Sequence, residues 1–165
     1  MQCSERKKRN RRLLLHSNGL TFCALLTILL VFPQRGVGQH TSLEDTIRAI
    51  MDEQVAAWNR GDIEGYMHGY WESDSTVFTS GGTQTKGYSE VLSRYKQHYD
   101  TRKKMGELSF RELVIQLLSP TVAVATGIWQ LSRDSDKPWG RFTLIFEKKP
   151  EGWRITHDHT SSSER

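Results

Sequence analysis

The chain has 165 residues, of which 36% are hydrophobic and 25% charged, and a formal net charge of +4. The charge is unevenly placed: residues 1–38 hold seven Lys/Arg and one acid, whereas 39–165 hold 16 basic and 18 acidic side chains. That mildly acidic remainder lacks the clustered positive footprint of a nucleic-acid binder, and it has no cysteine, so it must be held together by burial and not by disulfides.

The first segment reads as an address and not as fold. A basic start, "ERKKRNRRLLL", is followed by the apolar run "GLTFCALLTILLVF" and then by "PQRGVGQ". This is the anatomy of a secretory signal, with Gly36 and Gly38 as the small residues and cleavage after Gly38. The apolar run is shorter than the ~20 residues of a spanning helix; an uncleaved N-terminal anchor is the alternative. Cys23 follows Phe22, where a lipid-attachment signal would need a small residue. The expectation is an exported chain, periplasmic or secreted, with no membrane attachment once residues 1–38 are removed. Residues 39–165 are enough for one core and too few for two.

Residues 43–60, "LEDTIRAIMDEQVAAWNR", place Leu43, Ile47, Ile50, Met51, Val55 and Trp58 at helical spacing. Ser42 or Thr41 can cap this helix, and Glu44 and Asp45 suit its first turn. Gly61 ends it, and Asp62 caps a second short helix, "IEGYMHGYW". "STVFTS" then reads as a strand bounded by the turn residues Gly81 and Gly82, and a third helix follows Gly87. The basic patch Arg102–Lys104 near a helix end is read as solvent-facing and complementary to the helix dipole. After Gly106 the period changes. "ELSFRELVIQLLS", "TVAVATGIWQLS", "WGRFTLIFEKK" and "WRITHDHTS" form four strands with short connections, which suits an antiparallel meander and an α+β fold.

The element order, with "AAWNRGDIEGYMHGYWESDSTVF" early and "GWRITHDHTS" late, resembles the nuclear transport factor 2-like superfamily and, more narrowly, the SnoaL-like proteins. The closing "WRITHDHTS" is similar to the end of the calcium/calmodulin-dependent protein kinase II association domain. The resemblance spans about Leu43 to Ser162. It implies a cone: an alpha+beta barrel in which three N-terminal helices pack on a curved, mainly antiparallel sheet, open at one end as a pocket. It also implies dimers or larger rings built through the sheet, hence a homodimer as the expected assembly. Steroid isomerisation is the best-known chemistry of that superfamily. The resemblance places Gln54 and Thr79 at the isomerase's tyrosine and aspartate positions, and neither side chain can do that work.

Side chains alternate across a strand. Regular alternation would give Trp153, Ile155, His157, His159 and Ser161 one face and Arg154, Thr156, Asp158 and Thr160 the other. His157 and His159 are thus the expected polar end of the pocket and the candidate proton-transfer residues, with Asp158 turned away. A metal would need further ligands, and His68 and His98 are scattered on helices, so no metal and no cofactor are expected. Trp58, Tyr66, Tyr70, Trp71, Phe78, Tyr95 and Trp129 lie on elements that the resemblance places around the cone. Packing in a plain core is the alternative for each. Arg141, if concave, would bind an anionic group beside the histidines. The leading reading is a cavity for a small, partly apolar, anionic molecule; an enzyme using the histidines and an oligomerisation module are the rivals.

Overall fold

The computed structural model describes residues 42–163, which lie in the compact unit Gln39–Arg165. The signal expected over 1–38 lies outside the described residues. Among these, no helix is long and apolar enough to cross a membrane.

Helix α1, Leu43–Asn59, begins with a reciprocal cap: Ser42 Oγ accepts from the Asp45 amide at 3.0 Å, and Asp45 Oδ2 accepts from the Ser42 amide at 3.1 Å. It buries Ile47, Met51, Gln54, Ala57 and Trp58, one stripe at helical spacing. Its C-terminus is closed by a distant side chain. Arg102 donates to the carbonyls of Trp58 at 2.9 Å and Asn59 at 3.1 Å in the last turn; the first also accepts from the Gly61 amide. The expected dipole role of the basic patch therefore belongs to Arg102, directed at α1, while Lys104 pairs with Asp100 at the surface.

Asp62 caps the short helix α2, Ile63–Met67, by accepting from the Gly65 amide at 2.7 Å. The chain beyond it runs beside the last strand: the Ile155 amide donates to the Gly69 carbonyl and the Trp71 amide to the Ile155 carbonyl. A hairpin follows, β1 (Val77–Ser80) and β2 (Thr83–Lys86), turning through Gly81 and Gly82, both at positive φ (57° and 75°) as a two-residue hairpin turn requires. The strand β2, "TQTK", is polar and mostly exposed, so it offers no hydrophobic alternation to read. Helix α3 is Tyr88–His98, and a single turn, α4, is Arg102–Met105. Four long strands complete the chain: β3 Glu107–Ser119, β4 Val122–Ser132, β5 Trp139–Lys149 and β6 Gly152–Thr160.

The six strands form one sheet in the order β2-β1-β6-β5-β4-β3, antiparallel except for β1 beside β6. With β2 and β3 at the two edges, the sheet does not close on itself, so the expected barrel is an open one. The fold is otherwise the α+β arrangement anticipated, with one added hairpin strand and one added helical turn. Inner-face residues of β4 and β5 (Ala123, Ala125, Leu131, Phe142, Leu144, Phe146) join Ile47, Met51, Met67 and Val91 of the helices in one core.

One irregularity decides which side chains reach that core. Ile145 pairs with His157, but the next residue of β5, Phe146, pairs with Ile155. Thr156 is thus an extra residue on β6, a β-bulge, and beyond it the two faces exchange places. Its hydroxyl donates to Glu147 Oε1 at 3.0 Å, which anchors the bulge to the neighbouring strand.

Candidate ligand cavity

Aromatic side chains from the helices and from the inner face of the sheet leave a hollow of about 190 Å³. Trp58 from α1, Tyr66 from α2, Tyr70 just after it, Phe78 from β1 and Tyr95 from α3 supply most of one wall, and Trp129, Phe142 and Leu144 come from the sheet. The rings meet edge to face or tilted in nearly every pair: Trp58 lies 5.2 Å from Tyr66 at 69° and 4.7 Å from Tyr99 at 74°. Such pairs prefer tilted contacts because ring edges are positive and ring faces negative. The polar tips are placed too. Trp58 donates to the Met105 carbonyl at 3.3 Å, Trp129 to the Ser161 carbonyl at 3.0 Å, and the Tyr66 and Tyr95 hydroxyls lie 3.5 Å apart.

Six of the seven aromatic residues named from the sequence line this hollow; Trp71 does not, and its ring instead carries the Lys149 ammonium at 3.7 Å. The three polar ones do not. Because of the bulge at Thr156, His157 and His159 project from the outer face, opposite Ile145 and Thr143 of β5; His159 is exposed and His157 half-buried. Arg141, on the same outer face, is exposed and pairs with Glu112 at 3.3 Å. Thr79 also lies on this face, across from His159, whereas Gln54 lines the hollow, donating to the Tyr66 carbonyl at 3.2 Å. Among the described residues no group of three or more His, Cys, Asp or Glu side chains could share a metal ion.

The residue turned inward instead is Asp158, only 4% exposed. Tyr70 donates to its Oδ2 at 2.6 Å, and its Oδ1 is buried with no hydrogen-bond partner. Burial among rings disfavours the charged form and pushes this carboxyl up to about 7, against a smaller pull downward from the Tyr70 hydroxyl. The same burial, with the negative charge of Asp158 as a second cause, holds Tyr70 well above the usual phenol range. Near neutral pH the site is thus a carboxyl poised between acid and anion, beside a phenol that stays protonated. Two further lining residues lie one helical turn apart on α3: Arg94, which the sequence reading missed, and His98, which it weighed only as a metal ligand. Their spacing from Tyr95 and Tyr99 in "RYKQHY" was the available signal.

An open α+β cone with an aromatic hollow and a buried carboxyl defines the class of the protein. The chain belongs to the SnoaL-like domain family, which it matches over residues 47–163. Among solved structures it is similar to a nuclear transport factor 2-like protein of unknown function from Shewanella oneidensis. The two are 40% identical with a TM-score of 0.69, over 72% of this chain and 98% of that one. A ketosteroid isomerase-like protein from Erwinia carotovora atroseptica (18% identity, TM-score 0.59, 72% of this chain and 95% of that one) shares the fold. So does a calcium/calmodulin-dependent protein kinase II association-domain-like protein from Xanthomonas campestris, at 18% identity and a TM-score of 0.60, over 75% of this chain and 90% of that one. No curated protein matches the chain. Domains of this family commonly bind ligands.

Proposed function

We propose that the domain binds a small, partly apolar molecule in the cone, held at its buried end by a hydrogen bond to Asp158. The observation that carries this reading is Asp158 Oδ1. It is a buried oxygen without a partner, facing an aromatic hollow, and such a group is costly to leave unsatisfied. A mainly apolar wall with a few placed polar groups is the usual composition of a small-molecule site. At about 190 Å³ the hollow lies below the ~300–1,000 Å³ of drug-sized sites, so a compact occupant suits it. Calorimetric titration with phenol and 1-naphthol, together with native mass spectrometry of the purified protein, tests the reading. Saturable binding of either probe, weakened in Asp158→Ala, is expected; a folded protein that binds neither and carries no co-purified molecule would overturn it.

A second reading is enzymatic. A carboxyl that titrates near neutral pH, shielded from water and beside a protonated phenol, suits proton transfer. In this form the role falls to Asp158 and not to His157 or His159. Exchange of the α-hydrogens of 1-indanone in deuterated buffer, abolished by Asp158→Asn, would support it, and an exchange rate equal to buffer alone would remove it.

Two further parts of the reading come from outside the cavity. Export rests on the signal-like residues 1–38; intact-mass analysis of the cellular and exported fractions tests it, with an exported species beginning at Gln39 as the expected product. The homodimer rests on the outer sheet face, where Val114 (61%) and Trp139 (40%) stay exposed. Light scattering should give twice the chain mass, and a monomer at high concentration would end that part.

A further inference from the structure

The hollow carries unlike groups at its two ends. Asp158 is buried, while Arg94 is half-buried and His98 exposed, so the α3 pair marks the side open to solvent. Asp158 is the one acid among the lining residues and Arg94 the one permanent cation. They do not neutralise each other. Arg94 has no carboxylate partner among the described residues, and burial and the Tyr70 hydroxyl alone govern the Asp158 carboxyl, with no help from a nearby cation.

Arg94 is nevertheless held in place. Its guanidinium donates to Thr85 Oγ1 at 3.0 Å and lies 5.1 Å above the ring of Phe78, which itself lines the hollow. That engagement uses one of five N–H donors and leaves the others for a ligand. A planar fork fixed in this way matches a carboxylate, and much of its ordering entropy is already lost before binding. Beside it, His98 Nδ1 lies 3.0 Å from the Arg94 carbonyl; a carbonyl only accepts, so Nδ1 carries the proton there.

We propose that Arg94 is an anion anchor, and that the ligand class of the cone is a small monocarboxylic acid with an aromatic or alicyclic body. Its carboxylate sits on the guanidinium at the open side, its ring among Phe78, Tyr95 and Trp129, and a hydrogen-bonding substituent reaches Asp158. The proposal rests on the cavity being a binding site, and it replaces Arg141, which faces outward, as the source of anion selectivity.

The test compares phenylacetate and 3-phenylpropionate with their primary amides, which share shape but not charge, by calorimetry and by quenching of Trp58 and Trp129. The acids should bind wild type at least ~10-fold more tightly than the amides. Arg94→Gln should erase that preference, the acids losing more affinity than the amides, and Arg94→Lys should keep part of it. Equal affinity for acids and amides, or a preference that survives Arg94→Gln, overturns the anchor while leaving the cavity reading intact. Binding of neither class by folded protein removes both. Should Arg94→Gln lose its near-UV ellipticity, salt decides. Acid affinity in wild type must fall between about 50 mM and about 500 mM NaCl while amide affinity holds, and parallel behaviour of the two overturns the proposal.

Discussion

Tyr70 and Asp158 are 88 residues apart in sequence, and the tyrosine hydroxyl donates to the carboxyl oxygen at 2.6 Å inside the cone. Two features bring them together. The backbone of Gly69 and Trp71 is paired with Ile155, which fixes Tyr70 beside β6, and the bulge at Thr156 turns Asp158 toward it. The pair closes one end of the cavity and sets the charge state there.

The first consequence is a pH-dependent stability. The Asp158 carboxyl is raised to about 7 in the folded protein, against about 3.9 when unfolded. Between those values the folded state holds a proton that the unfolded state has released, so stability falls as pH rises through this window and levels off above it. The full effect is about 4 kcal/mol as an upper bound. Urea denaturation between pH 4 and pH 8 should show this decline in wild type, and Asp158→Asn should be flatter by that amount and more stable than wild type at pH 8. Identical slopes in the two proteins would mean that Asp158 is not buried as described.

Tyr70→Phe isolates the hydrogen bond itself, because it keeps the ring and removes the donor. The hydroxyl lowers the Asp158 value, so without it the carboxyl should titrate higher still, as read by carbon-13 NMR of labelled aspartate. Above neutral pH, stability should drop by ~1–3 kcal/mol, the cost of stranding a buried charged acceptor. At pH 5, where the carboxyl is protonated in both proteins, the loss should be smaller.

How much of this was legible in the sequence depends on the range of the interaction involved. Helix α1 declares itself through Ile47, Met51 and Trp58 and through the Ser42 cap, all local features. The four long strands declare themselves through apolar content and turn residues. The six aromatic residues of the wall follow from the family resemblance. The inward residue of β6 does not follow, because alternation is a local rule and the bulge at Thr156 is a property of the β5–β6 pairing. A single extra residue moved His157 and His159 outward and Asp158 inward. Strand β2 was hidden for a different reason: with polar residues on both faces, it is held by pairing with β1 and has no apolar signal. Arg94 neighbours Tyr95 on an amphipathic helix, but an arginine at such a position reads equally well as part of the solvated face.

The outward placement of the histidines has a direct test. His157→Ala and His159→Ala should each change stability by no more than about 0.5 kcal/mol, as substitutions away from buried networks do, and should leave phenol and phenylacetate affinity unchanged. Calorimetry and urea melts check both. A loss of probe binding in either variant, with the fold intact, would place an imidazole in the cavity and contradict the bulge.

Arg102 illustrates stabilisation by a side chain that looks like plain surface charge. It donates to the carbonyls of Trp58 and Asn59, ties α4 to the end of α1, and sets its positive charge at the negative end of that helix dipole. Arg102→Met should keep most of the stem packing and lose the donors, at a cost of ~1–2 kcal/mol. Lys103→Met, one residue on, should cost almost nothing. Because Trp58 lines the cavity, the Arg102 variant should also bind phenol more weakly as the end of α1 loosens.

The rim of the cavity depends on a residue with no side chain. The chain leaving β6 continues alongside β5, with the Ser161 amide bonded to the Arg141 carbonyl and the Ser163 amide to the Trp139 carbonyl. Gly140 packs against this segment. A Cβ there would collide with the Ser161 carbonyl oxygen and stand 2.9 Å from Trp129 Nε1, the donor that bonds that same oxygen. Backbone cannot move aside as the tip of a flexible side chain can, so Gly140→Ala should push residues 161–163 off the sheet and release the Trp129 indole. The expected cost is ~1–3 kcal/mol, the usual range for overpacking. It should come with faster proteolysis of the C-terminus and weaker binding of cavity probes, since Ser162 and Trp129 both line the hollow. Gly81→Asn is the matched control. That site has open space around the missing Cβ and a φ of 57°, which asparagine tolerates better than most residues, so its melting temperature and probe affinity should stay close to wild type. If Gly140→Ala proves as mild as Gly81→Asn, the terminal segment does not lie alongside β5 and the rim must be built differently.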